Sequence, residues 1–178
     1  MKVMMYQRGL HLVILAVLLM VFVSCGEKPA DIESRNKEIV SEAFAAIDRQ
    51  DFESLDKYFV KDYRRYCQAS PEAKVESLDD MIGFLKEWYD AFPDASMKTH
   101  MMVAEGDLVA VYITFAGTHQ APMGEISATG KRMESETFGF HRLKDGKIVE
   151  TWVTWDNIAI LKQLGLFPEP ETVEEQEG

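Results

Sequence analysis

The spacing of apolar residues changes twice along the chain. From Leu12 to Val23 they run without a break, from about Asp31 they fall at helical intervals, and from Met97 they alternate with polar ones. Ile32, Ile39, Val40, Ala43, Phe44 and Ile47 predict an amphipathic helix. Asp51-Phe52-Glu53-Ser54-Leu55 opens a second, short helix capped by Asp51, with Leu55, Tyr58 and Phe59 on its inner face. Asp62 to Cys67, aromatic and basic, reads as a short strand or an irregular turn. Ser77 to Ala91 is a third helix. Ser77 and Asp80 have the spacing of a capping pair, Met81, Phe84, Leu85 and Trp88 form an apolar stripe, and Pro93 stops it.

The alternating part predicts four strands: Met97 to Glu105, Leu108 to His119, Arg132 to Leu143 and Ile148 to Trp155. Glu105-Gly106-Asp107 and Lys144-Asp145-Gly146-Lys147 close hairpins, with glycine where φ must be positive. Gln120 to Lys131 is a loop between the middle strands, and a last helix runs from Asn157 to Leu164. Three helices before an antiparallel meander make an α+β pattern, with the helices on one face of a curved sheet. Such a sheet leaves a cone-shaped apolar pocket, the default place for a ligand. Pairing Leu143 with Ile148 sets His141 opposite Glu150, a charge-assisted cross-strand pair of structural character.

Composition narrows the partners. The 178 residues are 47% hydrophobic and 28% charged, ordinary for a globular domain. The net charge of −11 becomes −13 once Lys2 and Arg8 leave with the leader. That sign excludes a nucleic-acid surface and electrostatic docking on anionic lipid. The two cysteines form no CxxC pair, and no Cys/His cluster or helical His pair has metal-site spacing, so neither metal nor cofactor is expected.

Lys2 and Arg8 precede an apolar run of twelve residues, too short for a membrane span of about 20. Basic flank, short apolar core and small residues are the parts of a bacterial export signal. Phe22-Val23-Ser24-Cys25-Gly26 resembles the lipobox of bacterial lipoproteins. The resemblance implies cleavage before Cys25, acylation of that cysteine, and anchoring in the cell envelope. Gly26 points to the outer membrane, with the protein facing the periplasm or the exterior. The other reading is a plain secretory leader. The expected division is a signal peptide over 1–24, a tether over 25–32, one domain over 33–168 and an acidic, disordered tail over 169–178. Cys67 is then the one free thiol, either a buried structural residue or a nucleophile.

Four motifs in order carry a second resemblance. Ala91-Phe92-Pro93-Asp94 is similar to an "FPD" after the third helix. Gly117-Thr118-His119, Gly124 and Ala128-Thr129-Gly130-Lys131 resemble "GTH…G…PTGK". Asp145 to Trp152, Asp156 and Gln163-Leu164-Gly165 match the ending. Together they resemble the SnoaL-like polyketide cyclases, or ester cyclases, over about Asn36 to Pro168. The resemblance implies a cystatin-like α+β barrel of the nuclear-transport-factor type. Three N-terminal helices would pack on a curved, four-to-six-stranded, mostly antiparallel sheet with an open-ended apolar pocket. It also implies a protein that is often dimeric and closes rings by an aldol step without metal or cofactor. The chain departs from the family in three places. Arg64-Arg65-Tyr66-Cys67 follows Asp62-Tyr63 where members often carry histidine, Ala128 replaces a proline, and Val153 replaces an acid after the tryptophan.

Aldol closure needs one proton taken next to a carbonyl and another given to the alkoxide, which a carboxyl of raised pKa can do. Asp156 is the candidate, on the strand face of Trp152 and Thr154 and opposite Val153 and Trp155. Its other reading is the N-cap of the last helix, which would hold its pKa down. His119 shares parity with Val109, Val111, Ile113 and Phe115 and is either an inward catalytic imidazole or a satisfied rim histidine. Trp152, Trp88, Phe84, Tyr112 and Phe115, with His100, are candidates for the ligand-binding wall, or are plain core. The function expected is an exported, lipid-anchored protein that binds a small apolar metabolite and cyclises or isomerises it. The alternatives are a non-catalytic binding lipoprotein and a dimeric interaction module.

Overall fold

The computed structural model describes residues 28–168, so the leader, Cys25 and the acidic tail lie outside the described residues. The chain divides after Asp31 into two units, and residues 28–31, all that is described of the first, begin helix α1. Helix α1 spans Pro29–Asp48 and buries Asn36, Val40, Ala43, Phe44, Ala46 and Ile47. The second predicted helix is a 3-10 turn, Phe52–Lys57, and Asp51 makes no side-chain cap. Instead the Ser54 hydroxyl donates to the Asp51 carbonyl at 3.1 Å, satisfying the turn from within.

Strand β1, Phe59–Cys67, follows. Helix α2, Leu78–Ala91, starts at the predicted cap: Ser77 Oγ accepts from Asp80 N, and Asp80 Oδ2 accepts from Glu76 N, both at 3.0 Å. Strands β2 (Ser96–Glu105), β3 (Leu108–Thr118), β4 (Arg132–Lys144) and β5 (Lys147–Trp155) form the meander, and helix α3 covers Asn157–Leu164. Gly106, Asp145 and Gly146 take positive φ in the two hairpin turns, as their sequences demand.

The sheet has five strands in the order β1-β5-β4-β3-β2. All neighbours are antiparallel except β1 and β5, which run parallel. This is an α+β fold on a mostly antiparallel sheet. Val109, Val111 and Ile113 of β3 turn inward with Ser135, His141 and Leu143 of β4, and α1 and α2 cover that face. Asn36 and Glu33 of α1 bind the β2–β3 turn, Nδ2 donating to Gly106 O at 3.0 Å and Oε1 accepting from Gly106 N at 3.1 Å.

One register shift decides which side chains reach the interior. Leu143 pairs with Ile148 as expected, but the next pair is Arg142 with Glu150, leaving Val149 as an extra residue on β5. A bulge of this kind reverses the faces beyond it. His141 therefore stands opposite Thr151, not Glu150, and Glu150 bonds Arg142 Nε at 3.2 Å. Past the bulge, Thr151 is buried, whereas Trp152 and Thr154 face outward.

Candidate functional site

Between α2 and the concave face of the sheet lies a cavity of about 160 Å³. Phe84 and Trp88 of α2, Val111, Ile113 and Phe115 of β3, and Val153 and Trp155 of β5 give it hydrocarbon walls. Its polar side chains are Tyr63, Arg65, Ser135, Thr137, His141 and Thr151, and among the described residues no carboxylate lines it. On the outer face of the sheet a broader trough of about 630 Å³ runs past Tyr66, Phe138, Phe140 and Trp152.

His141 is the histidine that lines the cavity; the other buried histidine, His119, has an unpartnered Nε2 but does not line it. His141 is 6% exposed, with Phe44 edge-on at 5.3 Å. Its Nδ1 lies 2.9 Å from Thr151 Oγ1, and no described group bonds its Nε2. Gly139, two residues before it on β4, faces Nε2, where a Cβ would come into ordinary van der Waals contact at 3.5 Å. Burial away from water pushes the imidazole down from 6.5 to about 4, so it is neutral at physiological pH.

Tyr63 and Arg65 project from the same face of β1. The Tyr63 hydroxyl is fully buried without a hydrogen-bond partner, and burial pushes it up to about 12. Thr151 and the positive charge of Arg65 act in the opposite sense without offsetting that burial. Arg65 is 8% exposed and forms no ion pair among the described residues. Its guanidinium lies 3.8 Å over the Phe84 ring, one terminal nitrogen donates to Ala73 O at 3.4 Å, and Nε is buried and unpartnered. Desolvation draws it below the usual arginine range, with only Cys67, Tyr63 and Glu72 opposing through space. A buried donor left unpaired costs about 1–3 kcal/mol, and more when charged.

The residues singled out from the sequence separate into three places. Phe84, Trp88 and Phe115 line the cavity as expected. Trp152, Tyr112 and His100 do not. Trp152 stacks on Tyr66 outside the sheet, Tyr112 stacks on Phe138 and donates to Glu136, and His100 Nε2 meets Thr114 Oγ1 at 2.6 Å. Asp156, expected with Trp152 on an inward face, is exposed just past the end of β5, and the face that carries Trp152 is turned to solvent by the Val149 bulge. Its Oδ1 accepts from Ala159 N at 3.0 Å and caps α3. His119 is completely buried yet does not line the cavity. It stacks on Phe92, and its Nδ1 accepts from Thr129 N at 3.3 Å. Cys67 is half-buried at the outer trough rather than in the core.

Val153, where the resemblance implies an acid, points into the cavity as hydrocarbon. His141, Thr151, Tyr63 and Arg65 were not singled out from the sequence as site residues. Only the Arg64-Arg65 departure signalled any of them. Among the described residues no group of three or more His, Cys, Asp or Glu stands ready to hold a metal.

The remaining motifs build one end of the fold. Asp94 accepts from Thr118 N at 2.6 Å and from its hydroxyl at 2.8 Å, bonds that draw the exposed carboxyl below the usual range. Gln163 on α3 clamps the backbone of Glu134 from both sides, at 2.9 and 2.8 Å.

Comparison with known proteins agrees with this arrangement. Residues 38–164 match the family of SnoaL-like polyketide cyclases. AclR from Streptomyces galilaeus, a provisionally assigned hydroxylase, is 30% identical with a TM-score of 0.67, covering 76% of this chain and 99% of its own. IdmH from Streptomyces antibioticus, a provisionally assigned polyketide cyclase, is 26% identical with a TM-score of 0.65, covering 73% and 98%. A provisionally assigned SnoaL-like polyketide cyclase from Jannaschia sp. CCS1 shares the fold at 20% identity and a TM-score of 0.71, covering 80% and 100%. Curated proteins gave no match. With the family match spanning most of the chain and every strand of the meander, the protein belongs to the SnoaL-like polyketide cyclase family.

Proposed function

We propose that the chain binds a small, largely apolar metabolite in its interior cavity and cyclises or isomerises it by cofactor-free acid/base chemistry, with His141 handling the proton. The observation that carries this reading is a neutral imidazole whose Nδ1 is tied to Thr151 while Nε2 is open, in a largely apolar cavity with no carboxylate among its described lining residues. When Nδ1–H donates to Thr151, Nε2 presents its lone pair to the cavity. A carbon acid beside a carbonyl can then lose its proton to Nε2, and the imidazolium returns a proton to the new alkoxide. Burial makes His141 a weak base in the empty cavity. The oxyanion that develops on the substrate supplies the countercharge that steadies the imidazolium.

The second reading is a non-catalytic binding protein using the same cavity, and Val153 favours it. The acid that the resemblance implies at this position is replaced by a side chain that handles no proton. The fold itself does not choose, since AclR and IdmH carry different reaction names on it. Export and anchoring through Cys25, in the bacterial cell envelope, belong to the same proposal and rest on the leader sequence.

Metabolite extract incubated with the purified chain and followed by untargeted mass spectrometry separates these readings. A metabolite consumed by the wild type and spared by His141→Gln by 100-fold or more, on the order of a lost acid/base group, supports the enzyme. One retained unchanged by both proteins identifies a binder. Equal turnover by both would remove His141 from the chemistry.

A further inference from the structure

We infer that Arg65 is the anion anchor of the interior cavity, and that its ligand is an aromatic or alicyclic carboxylate whose apolar body lies between α2 and β3. The inference rests on the cavity being the ligand site and is independent of any proton transfer at His141.

Arginine is almost never this deeply buried without a partner. The other arginines in described ion pairs sit at the surface: Arg64 with Glu76, Arg132 with Asp94, and Arg142 with Asp107 and Glu150. Arg65 alone among these four lines the interior cavity, whose described lining has no carboxylate; it also borders the outer trough, where Ala73 and Glu76 lie. The cavity wall therefore carries one positive charge and no carboxylate, Glu72 acting on Arg65 only through space from outside the lining.

The geometry adds direction to the charge. The guanidinium carbon, 3.8 Å over the Phe84 ring, holds the cation against a cavity wall by a cation–π contact. Its donors are underused: one long bond reaches Ala73 O, and Nε has no partner. Two residues earlier on the same strand face, the Tyr63 hydroxyl is buried with no well-formed hydrogen bond, Thr151 lying near enough to act on it but tied to His141. Two unmatched donors on one face of one strand, one of them a planar cation, match the two oxygens of a carboxylate. A neutral carbonyl could accept from these donors but would leave the positive charge of Arg65 uncompensated.

Titration calorimetry of the purified full-length chain with 2-naphthoate and its neutral counterpart 2-naphthamide tests this. The wild type should bind naphthoate at least about tenfold more tightly, as one charge-assisted hydrogen bond predicts. Arg65→Met should bring the ratio close to one, and Arg65→Lys, which keeps the charge and loses the planar fork, should fall between. Ile113→Trp, which fills the interior cavity, should abolish binding of both probes, while Thr154→Trp in the outer trough should change neither. If the Arg65 variants fail to fold, the wild-type ratio and the two tryptophan variants still decide. Equal affinity for both probes in the wild type would overturn the anchor and leave the cavity standing as an apolar site. A preference surviving in Arg65→Met, or one lost in Thr154→Trp, would overturn it as well. Failure of both probes to bind the wild type would remove the interior-cavity reading and this inference with it, and binding of 2-naphthamide alone would overturn the anchor.

Discussion

A histidine with a pKa of about 4 in the folded chain ties stability to pH with a defined sign. Unfolded, His141 returns to the ordinary value near 6.5. Between those two values the unfolded chain binds a proton that the folded chain refuses, so stability rises with pH across that window. The contribution is fully present above pH 6.5 and is lost progressively as pH falls to about 4, amounting to about 3 kcal/mol. Asp80 and Asp94 are held below their usual values by hydrogen bonds, so they also favour folding at higher pH, but they titrate below 3.8 and leave the window clear. Urea denaturation at half-unit steps from pH 7 to 4 should therefore show a steep loss in the wild type and a much shallower one in His141→Gln. Parallel curves for the two proteins would show that the imidazole is not held neutral by burial. The same desolvation keeps Nε2 free of a proton at neutral pH, so the stability experiment also measures whether the base proposed for the reaction exists.

At the scale of elements, the periods of the sequence placed all four strands of the meander to within one residue at either end, because hairpins announce themselves through local turn chemistry at Gly106 and Asp145-Gly146. Strand β1 was less legible, since its partner β5 lies some 90 residues away and a parallel pair leaves no turn between its strands. The Val149 bulge left no trace in the alternation, and its effect on the site is large. Trp152 was expected to face inward, yet the bulge turns it to solvent and gives the cavity Thr151, Val153 and Trp155 instead. Other family motifs proved architectural. Gly117 lies so close to the chain after α2 that a Cβ would come 3.1 Å from Phe92 Cβ and 3.2 Å from the Ala95 backbone. Phe92 is fully buried and the Ala95 backbone cannot rotate away, so Gly117→Ala should cost about 1–3 kcal/mol by overpacking. Chemical denaturation reads that loss directly, and a variant as stable as the wild type would mean that β3 and the segment after α2 separate more easily than their packing implies.

For the molecule as a whole, our proposal makes attachment to the envelope and folding of the domain separable properties. Among the described residues no helix is long and apolar enough to cross a membrane. The chain without its leader carries a charge of −13, which repels anionic lipid rather than recruiting it. On our proposal the acyl chains on Cys25 then supply the whole affinity for the bilayer, at about 0.8 kcal/mol per buried CH2 group, and nothing else replaces them. The expected behaviour is all-or-none. Wild-type chain expressed in a bacterial host should sediment with membranes, resist extraction by high salt, and enter the detergent phase on Triton X-114 partitioning. Cys25→Ala should appear in the soluble fraction and in the aqueous phase. Because the described cavity lining runs from Phe44 to Ile160, the released variant should keep the wild-type urea midpoint and its affinity for 2-naphthoate. A Cys25→Ala chain that stays in the detergent phase would end the lipoprotein reading. One that is released but no longer binds the probe would show instead that the anchor and the cavity are coupled, and that the domain depends on its tether to fold.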